Sequence, residues 1–89
     1  MSKAYIVLQD NEESRYIVEA IEQDNPKATV IHQPAMIRVE NEHRLVINRE
    51  TVEEMTGNDW DVQAIHLNLI TIGGNVDEDE DQFVLEWKQ

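Results

Sequence analysis

Met36-Ile37-Arg38-Val39-Glu40-Asn41-Glu42-His43-Arg44-Leu45-Val46-Ile47 is the stretch that decides the fold class. Ile37 and Val39 alternate with Met36, Arg38 and Glu40, the period of a strand with one wet face. Leu45 and Ile47 alternate in the same way beyond Asn41-Glu42-His43, a turn-like trio. The pattern predicts a hairpin, and strands joined by so short a connection pair antiparallel.

Toward the N-terminus, Ala28 to Ile31 is a β-rich run closed by Pro34. Before it, Tyr16, Ile17, Ala20 and Ile21 recur at helical spacing, and Asp24-Asn25-Pro26 stops that helix. Asp10 or Asn11 can cap it, Asp10 with Glu13 having capping-box spacing. Ser14 falls in its first turn, where capping or solvent contact accounts for it. Tyr5-Ile6-Val7-Leu8 reads as the first strand. Toward the C-terminus, Asn48 can cap a helix carrying Val52 and Met55, which Gly57 ends. Asp59-Trp60-Asp61-Val62-Gln63-Ala64-Ile65 starts a third short helix, and Leu67-Asn68-Leu69-Ile70-Thr71-Ile72 is a strand ended by Gly73-Gly74-Asn75. Phe83, Leu85 and Trp87 alternate with Val84, Glu86 and Lys88 in the last strand, which places Trp87 in the core; Trp60 fits core or partner contact equally. The order β-α-β-β-β-α-α-β-β, with strands clustered, argues α+β: a single compact domain over residues 1–89, with a largely antiparallel sheet and two to three helices.

Asp and Glu number 19 against 7 Lys and Arg, a formal net charge of −12. Such a surface repels phosphate backbones and anionic lipid, which disfavours nucleic acid and membrane partners. It suits a basic partner surface. The absence of cysteine excludes disulfides, thiolate nucleophiles and Cys-ligated metal sites. The apolar run that follows Met1-Ser2-Lys3 stops at Gln9-Asp10, too short for a signal peptide or a membrane span, so the expected location is the cytoplasm.

Asp77-Glu78-Asp79-Glu80-Asp81 is the densest charge run, but it lacks the glycine and flanking helices of a calcium-binding EF-hand loop and reads as a solvated hairpin connection. His32, His43 and His66 form no ligand pair; Glu40 and His43 have Glu-x-x-His spacing, but in a turn rather than on a helix. No Gly-x-Ser-x-Gly elbow and no phosphate-binding glycine motif is present. These residues outline a binding module with no catalytic, cofactor-binding or metal-binding residue of its own.

Asp24-Asn25-Pro26-Lys27-Ala28-Thr29-Val30 with Pro34-Ala35-Met36-Ile37-Arg38-Val39-Glu40 resembles the regulatory component of bacterial phenol hydroxylases. So do Ile47-Asn48-Arg49-Glu50-Thr51-Val52-Glu53-Glu54, Trp60-Asp61-Val62-Gln63, and Ile70-Thr71-Ile72-Gly73-Gly74-Asn75-Val76-Asp77-Glu78-Asp79 with Phe83-Val84-Leu85-Glu86-Trp87. The likeness runs nearly end to end, and its specificity lies in the order of the pieces. The broader family includes the coupling proteins of methane and toluene monooxygenases. The resemblance implies a protein without a prosthetic group that binds a di-iron hydroxylase, works alongside a reductase, and promotes NADH- and O2-dependent hydroxylation of phenol or methylphenols to catechols.

Candidate docking residues are His32, Gln33, Pro34 and Ala35, a proline-fixed polar connection that can present a rigid shape. Gly73, Gly74 and Asn75 are further candidates, because bare backbone can approach a partner closely. Arg49 and Glu50 at the second helix start complete the set. Turn and cap structure is the competing explanation for each. Two other functions fit the composition. An acidic inhibitor or nucleic-acid mimic predicts carboxylates spread along one face. A small isomerase predicts an apolar pocket around a carboxylate of raised pKa.

Overall fold

The computed structural model describes residues 2–87; Met1 and Lys88, read above as part of the N-terminus and the last strand, lie outside them. Its elements are β1 (Lys3–Gln9), α1 (Glu12–Asp24), β2 (Thr29–Gln33), β3 (Met36–Glu42), β4 (Arg44–Asn48), α2 (Arg49–Thr56), a 3-10 helix (Val62–Leu67), β5 (Leu69–Gly73), β6 (Asn75–Glu78) and β7 (Gln82–Glu86). The architecture is α+β, and every strand pairing is antiparallel.

The strands make two sheets, β2-β3-β1-β5 and β4-β7-β6. This corrects the hairpin expected at 36–47: β3 pairs with β1 and β2, whereas β4 pairs with β7. His43 stands between β3 and β4 at φ 62° and turns the chain from one sheet to the other. Gly74 does the same between β5 and β6, at φ 129°. Periodicity sees alternation within a strand but not a corner between sheets, where the chain changes partner.

Two further corrections concern the C-terminal half. The third helix is a 3-10 turn that runs through Leu67, so β5 starts only at Leu69. The acidic run is no long loop: Asn75–Glu78 forms β6 against β7. Asp79 closes the tight turn between them, its Oδ1 accepting from the N–H groups of Asp81 (2.8 Å) and Gln82 (2.9 Å). Carboxylates depress strand propensity, and here the ladder with β7 overrides it.

One apolar cluster forms the core. Ile6, Leu8, Ile37 and Val39 of the first sheet meet Leu45, Ile47, Phe83 and Leu85 of the second, with Ile17 and Ile21 of α1 and Val52 of α2. Val84, expected to be wet, is also buried, so the central strand of the small sheet is covered at three successive residues.

Local chemistry sets the helix ends. Asn11, not Asp10, caps α1, its side chain accepting from the Ser14 N–H at 2.9 Å. Ser14 itself is fully buried and its hydroxyl finds no partner, against the expectation of capping or solvent contact. At the other end, Asn25 donates from Nδ2 to the carbonyls of Ile21 and Val46, each at 2.8 Å. Its Oδ1 accepts from the Val46 N–H at 3.2 Å. The amide thus acts as a one-residue strand partner along the open edge of β4 and fastens α1 to the second sheet. Gly57 ends α2 at φ 76°, the left-handed geometry that glycine adopts without steric cost.

Candidate functional site

The first sheet has one face in the core and one face without helices. Register places Tyr5, Val7, Arg38, Glu40, Thr29, Ile31, Thr71 and Gly73 on the face away from the core, where Val7 and Gly73 are buried by their neighbours. Arg38 lies over the Tyr5 ring, 4.0 Å from its centroid, and its Nε donates to Glu40 at 3.0 Å. Lys3 Nζ donates to the other Glu40 oxygen at 3.3 Å. These two cations hold the Glu40 carboxyl below its usual value, the Arg38 hydrogen bond being the larger cause. The face is therefore charge-neutralised from within, in a chain of net charge −12.

At the end of this sheet where β1 finishes, two connections converge. The Asp10 N–H donates to the Ala35 carbonyl at 3.1 Å, and the Gln9 N–H donates to the Asn68 carbonyl at 2.8 Å. β1 lies between β3 and β5, so neighbouring strand spacings put these connections roughly 10 Å apart. Pro34 and Ala35 form a two-residue turn closed by the Gln33–Met36 pair, with Ala35 at φ 63°. A non-glycine residue in that region costs about 1–2 kcal/mol. On the other side of β1, Leu67 is 76% exposed and Ile70, in β5, 44% exposed. Ile70 falls where the β1–β5 register shifts, so one residue there has no partner in the ladder. Asp10 is held by Arg15 Nε at 3.0 Å. Gln9, Pro34, Ala35, Leu67 and Ile70 carry no charge, and the apolar side chains among them lose water at low cost.

Behind that end is a chain of side-chain hydrogen bonds. Glu13 Oε1 accepts from Asn68 Nδ2 at 2.9 Å, and Glu13 Oε2 accepts from the Trp60 indole at 3.3 Å. Asn11 Nδ2 donates to Asn68 Oδ1 at 2.7 Å. Glu53 Oε2 accepts from the Trp60 backbone N–H at 2.9 Å. The 57–68 connection is thereby fixed to the first turn of α1 and to α2.

Residues 2–86 match the family model described as MmoB/DmpM. The chain belongs to the MmoB/DmpM family. It is 66% identical over 87 residues to "Phenol 2-monooxygenase, stimulatory component DmpM" of Pseudomonas sp. (strain CF600), covering 98% of this chain and 97% of the relative. It is also similar to a chain in a solved phenol hydroxylase–regulatory protein complex. That match has a TM-score of 0.93 and 60% identity, covering 98% of this chain and 100% of that one. The soluble methane monooxygenase regulatory protein B shares the fold at a TM-score of 0.75 and 14% identity, over 97% of this chain and 65% of that one.

Within this MmoB/DmpM fold the docking residues expected from sequence fall in three places. His32 and Gln33 belong to β2 rather than to a connection, because the ladder with β3 runs on to the Gln33–Met36 pair. They lead into the Pro34-Ala35 turn. Gly73 and Gly74 lie at the corner between the sheets, and local packing accounts for both. A Cβ on Gly73 would fall inside the Tyr5 ring, and one on Gly74 would stand 3.2 Å from the Glu86 backbone nitrogen. The close approach made there is to the chain's own residues. Asn75 is exposed at the start of β6. Arg49 and Glu50 begin α2, where Arg49 pairs with Asp81 at 3.2 Å. Sequence reasoning missed Leu67, Ile70, Glu13 and Asn68. Leu67 and Ile70 look like core residues of an apolar run, and the partners of Glu13 lie 47 and 55 residues away.

Proposed function

We propose that this chain is the regulatory component of a multicomponent phenol hydroxylase. It docks on the di-iron hydroxylase and promotes NADH- and O2-dependent hydroxylation of phenol or methylphenols to catechols, alongside a reductase and in the cytoplasm. The observation that carries this reading is the end-to-end likeness, at 66% identity, to a phenol 2-monooxygenase stimulatory component. The likeness at 60% identity to a chain from a phenol hydroxylase–regulatory protein complex supports the same partner. The match over residues 2–86 fits one effector domain.

The physical task needs no bond-making group in this chain. An effector shifts a partner between conformations by binding one of them better. About 1.4 kcal/mol of such preference gives a tenfold shift. The docking surface of this reading is the β1 end of the first sheet: His32, Gln33, Pro34 and Ala35 together with Leu67 and Ile70. It combines exposed apolar side chains with a turn held in one geometry, and ordering costs are low when shape is preset. The candidates Gly73, Gly74, Asn75, Arg49 and Glu50 stand outside this surface. The carboxylates elsewhere steer approach to a basic rim, within roughly 8–10 Å at cellular salt.

The alternatives fit the geometry less well. A nucleic-acid mimic needs carboxylates aligned along one face. Here Glu40 faces Lys3 and Arg38, Glu13 and Glu53 hold Trp60, and Glu78 meets His66 at 2.8 Å. An isomerase base needs a raised carboxyl pKa, and that of Glu40 is lowered. The test is reconstitution. Purified protein added to hydroxylase, reductase, NADH and phenol raises catechol formed per NADH; a ratio that does not move rejects the reading.

A further inference from the structure

We propose that Glu13 is the positioning residue of the docking end. Its two carboxylate oxygens hold the Trp60 indole and the Asn68 amide together, and so preset the segment that presents Leu67 and Ile70 to the hydroxylase. This rests on the docking surface proposed above.

Three observations carry it. The first is stoichiometry. Glu13 Oε1 takes the Asn68 amide and Oε2 takes the Trp60 indole, so one side chain satisfies two donors from two points of the 57–68 connection. Glutamine in its place offers one acceptor oxygen and an NH2 that faces the other donor, so one of the two contacts is lost without loss of volume. The second is location. Asn68 is 6% exposed, directly follows the outward Leu67, and its carbonyl accepts from Gln9 at the end of β1. Holding Asn68 therefore fixes the chain where it leaves the 3-10 helix and enters β5. The third is the segment's own weakness. Val62–Leu67 is a six-residue 3-10 helix, whose hydrogen-bond geometry is poorer than that of an α-helix. Its backbone alone does not fix the direction of Leu67, and the side chains behind it do. A carboxylate acceptor makes hydrogen bonds roughly twice as strong as a neutral one does.

Glu13 also lies in the first turn of α1, where a carboxylate is favoured by the helix dipole. A merely helix-stabilising role would predict no dependence on Trp60 or on the hydroxylase. The test reads both. In the intact chain, Glu13→Gln shifts the ¹⁵N–¹H signal of the Trp60 indole or of the Asn68 side-chain amide, whichever donor loses its acceptor, and speeds its hydrogen exchange, while the Trp87 indole stays in place. With hydroxylase and reductase, the same variant raises the concentration needed for half-maximal stimulation about tenfold, corresponding to about 1.4 kcal/mol. The effect falls on that concentration rather than on catechol per NADH at saturation. Unmoved Trp60 indole and Asn68 side-chain amide signals together overturn the proposal, and so does a moved signal with unchanged half-saturation. Leu67→Ser separates the underlying reading, because it removes the apolar contact and leaves Glu13, Trp60 and Asn68 untouched. If Leu67→Ser leaves half-saturation unchanged, the docking surface is wrong and the role of Glu13 falls with it. If Leu67→Ser weakens stimulation and Glu13→Gln does not, only the positioning role fails. Should Glu13→Gln unfold, Glu13→Asp, with both oxygens on a stem one methylene shorter, carries the same two measurements.

Discussion

Trp87 lies outside the core in which its sequence context places it, and Trp60 takes the buried one of the two places its context allows. Trp87 continues the alternation of Phe83 and Leu85, yet it is 40% exposed, whereas Trp60, in a stretch without periodicity, is 8% exposed. The β7 ladder ends at Glu86, paired with Arg44 on one side and Asn75 on the other. Beyond that last rung the chain no longer has to keep the pleat. Trp87 is instead held by its backbone N–H on the His43 carbonyl (3.0 Å) and its indole on the Lys3 carbonyl (2.7 Å). Trp60 is held by carboxylates from two helices, Glu13 on the indole and Glu53 on the backbone. Periodicity locates a side chain only while a regular ladder continues. Elsewhere, partners distant in sequence decide.

The largest expected effect tests that contrast directly. Trp60→Ala opens a cavity beside α1 and α2 and takes the indole donor from Glu13, while the backbone N–H that Glu53 accepts from is kept, so it costs about 3–5 kcal/mol. Trp87→Ala forfeits one hydrogen bond and partial burial and costs about 1 kcal/mol. Urea midpoints of the two variants measure the difference, and equal losses would break the comparison. The next effect belongs to the neighbourhood of Trp87 but not to the tryptophan. Gly73→Ala places a methyl group where the Tyr5 ring lies, so the ring and the Arg38 stacked on it must move. Overpacking of this kind costs about 1–3 kcal/mol. A crystal structure of the variant with Tyr5 in its original place would remove that account.

The Trp60 side is not optimised throughout. Ser14, one residue after Glu13, buries a hydroxyl without a partner. Ser14→Ala removes the unsatisfied group and improves helix propensity, and is expected to stabilise the protein by about 1 kcal/mol. A loss of stability would show that the hydroxyl has a partner after all.

The same reasoning explains how far the sequence could be read. Strands β1, β3, β4 and β7, helix α2 and the Gly57 stop were legible because each has a periodic apolar set or a local cap. The division into two sheets was not, since His43 and Gly74 redirect the chain by backbone angles that no side-chain period records. Strand β6 was hidden by its own carboxylates, which fall in solvent only because β7 supplies the ladder. Of the proposed docking surface, Pro34 and Ala35 were legible through the proline. Leu67 and Ile70 were not, because an apolar residue displayed to a partner has the same letter as one that fills a core.

The smallest effect contrasts the two sides by pH. Near Trp87 the carboxylate is one step removed: Lys3, whose carbonyl accepts from Trp87, pairs through Nζ with Glu40, which also takes Arg38. The Glu40 carboxyl lies below its ordinary value of 4.5 when the protein is folded, chiefly through the Arg38 hydrogen bond and against some desolvation. A lowered folded pKa means that the unfolded chain takes up the proton first on acidification. The contribution of Glu40 is therefore fully present above about pH 4.5 and is lost as pH falls through the lower folded value. Both cations reach solvent, Lys3 more than Arg38, so salt screens much of the pairing and the contribution is small. Glu40→Gln should lower the neutral plateau of a stability-against-pH curve slightly, flatten its acid limb below pH 4.5 by the same small amount, and leave the acid end unchanged. Denaturant midpoints followed from neutral pH downward, at low and at high salt, would show it. An acid limb of unchanged slope would assign the loss to other carboxylates, and a salt-independent effect would contradict the exposure of the pair.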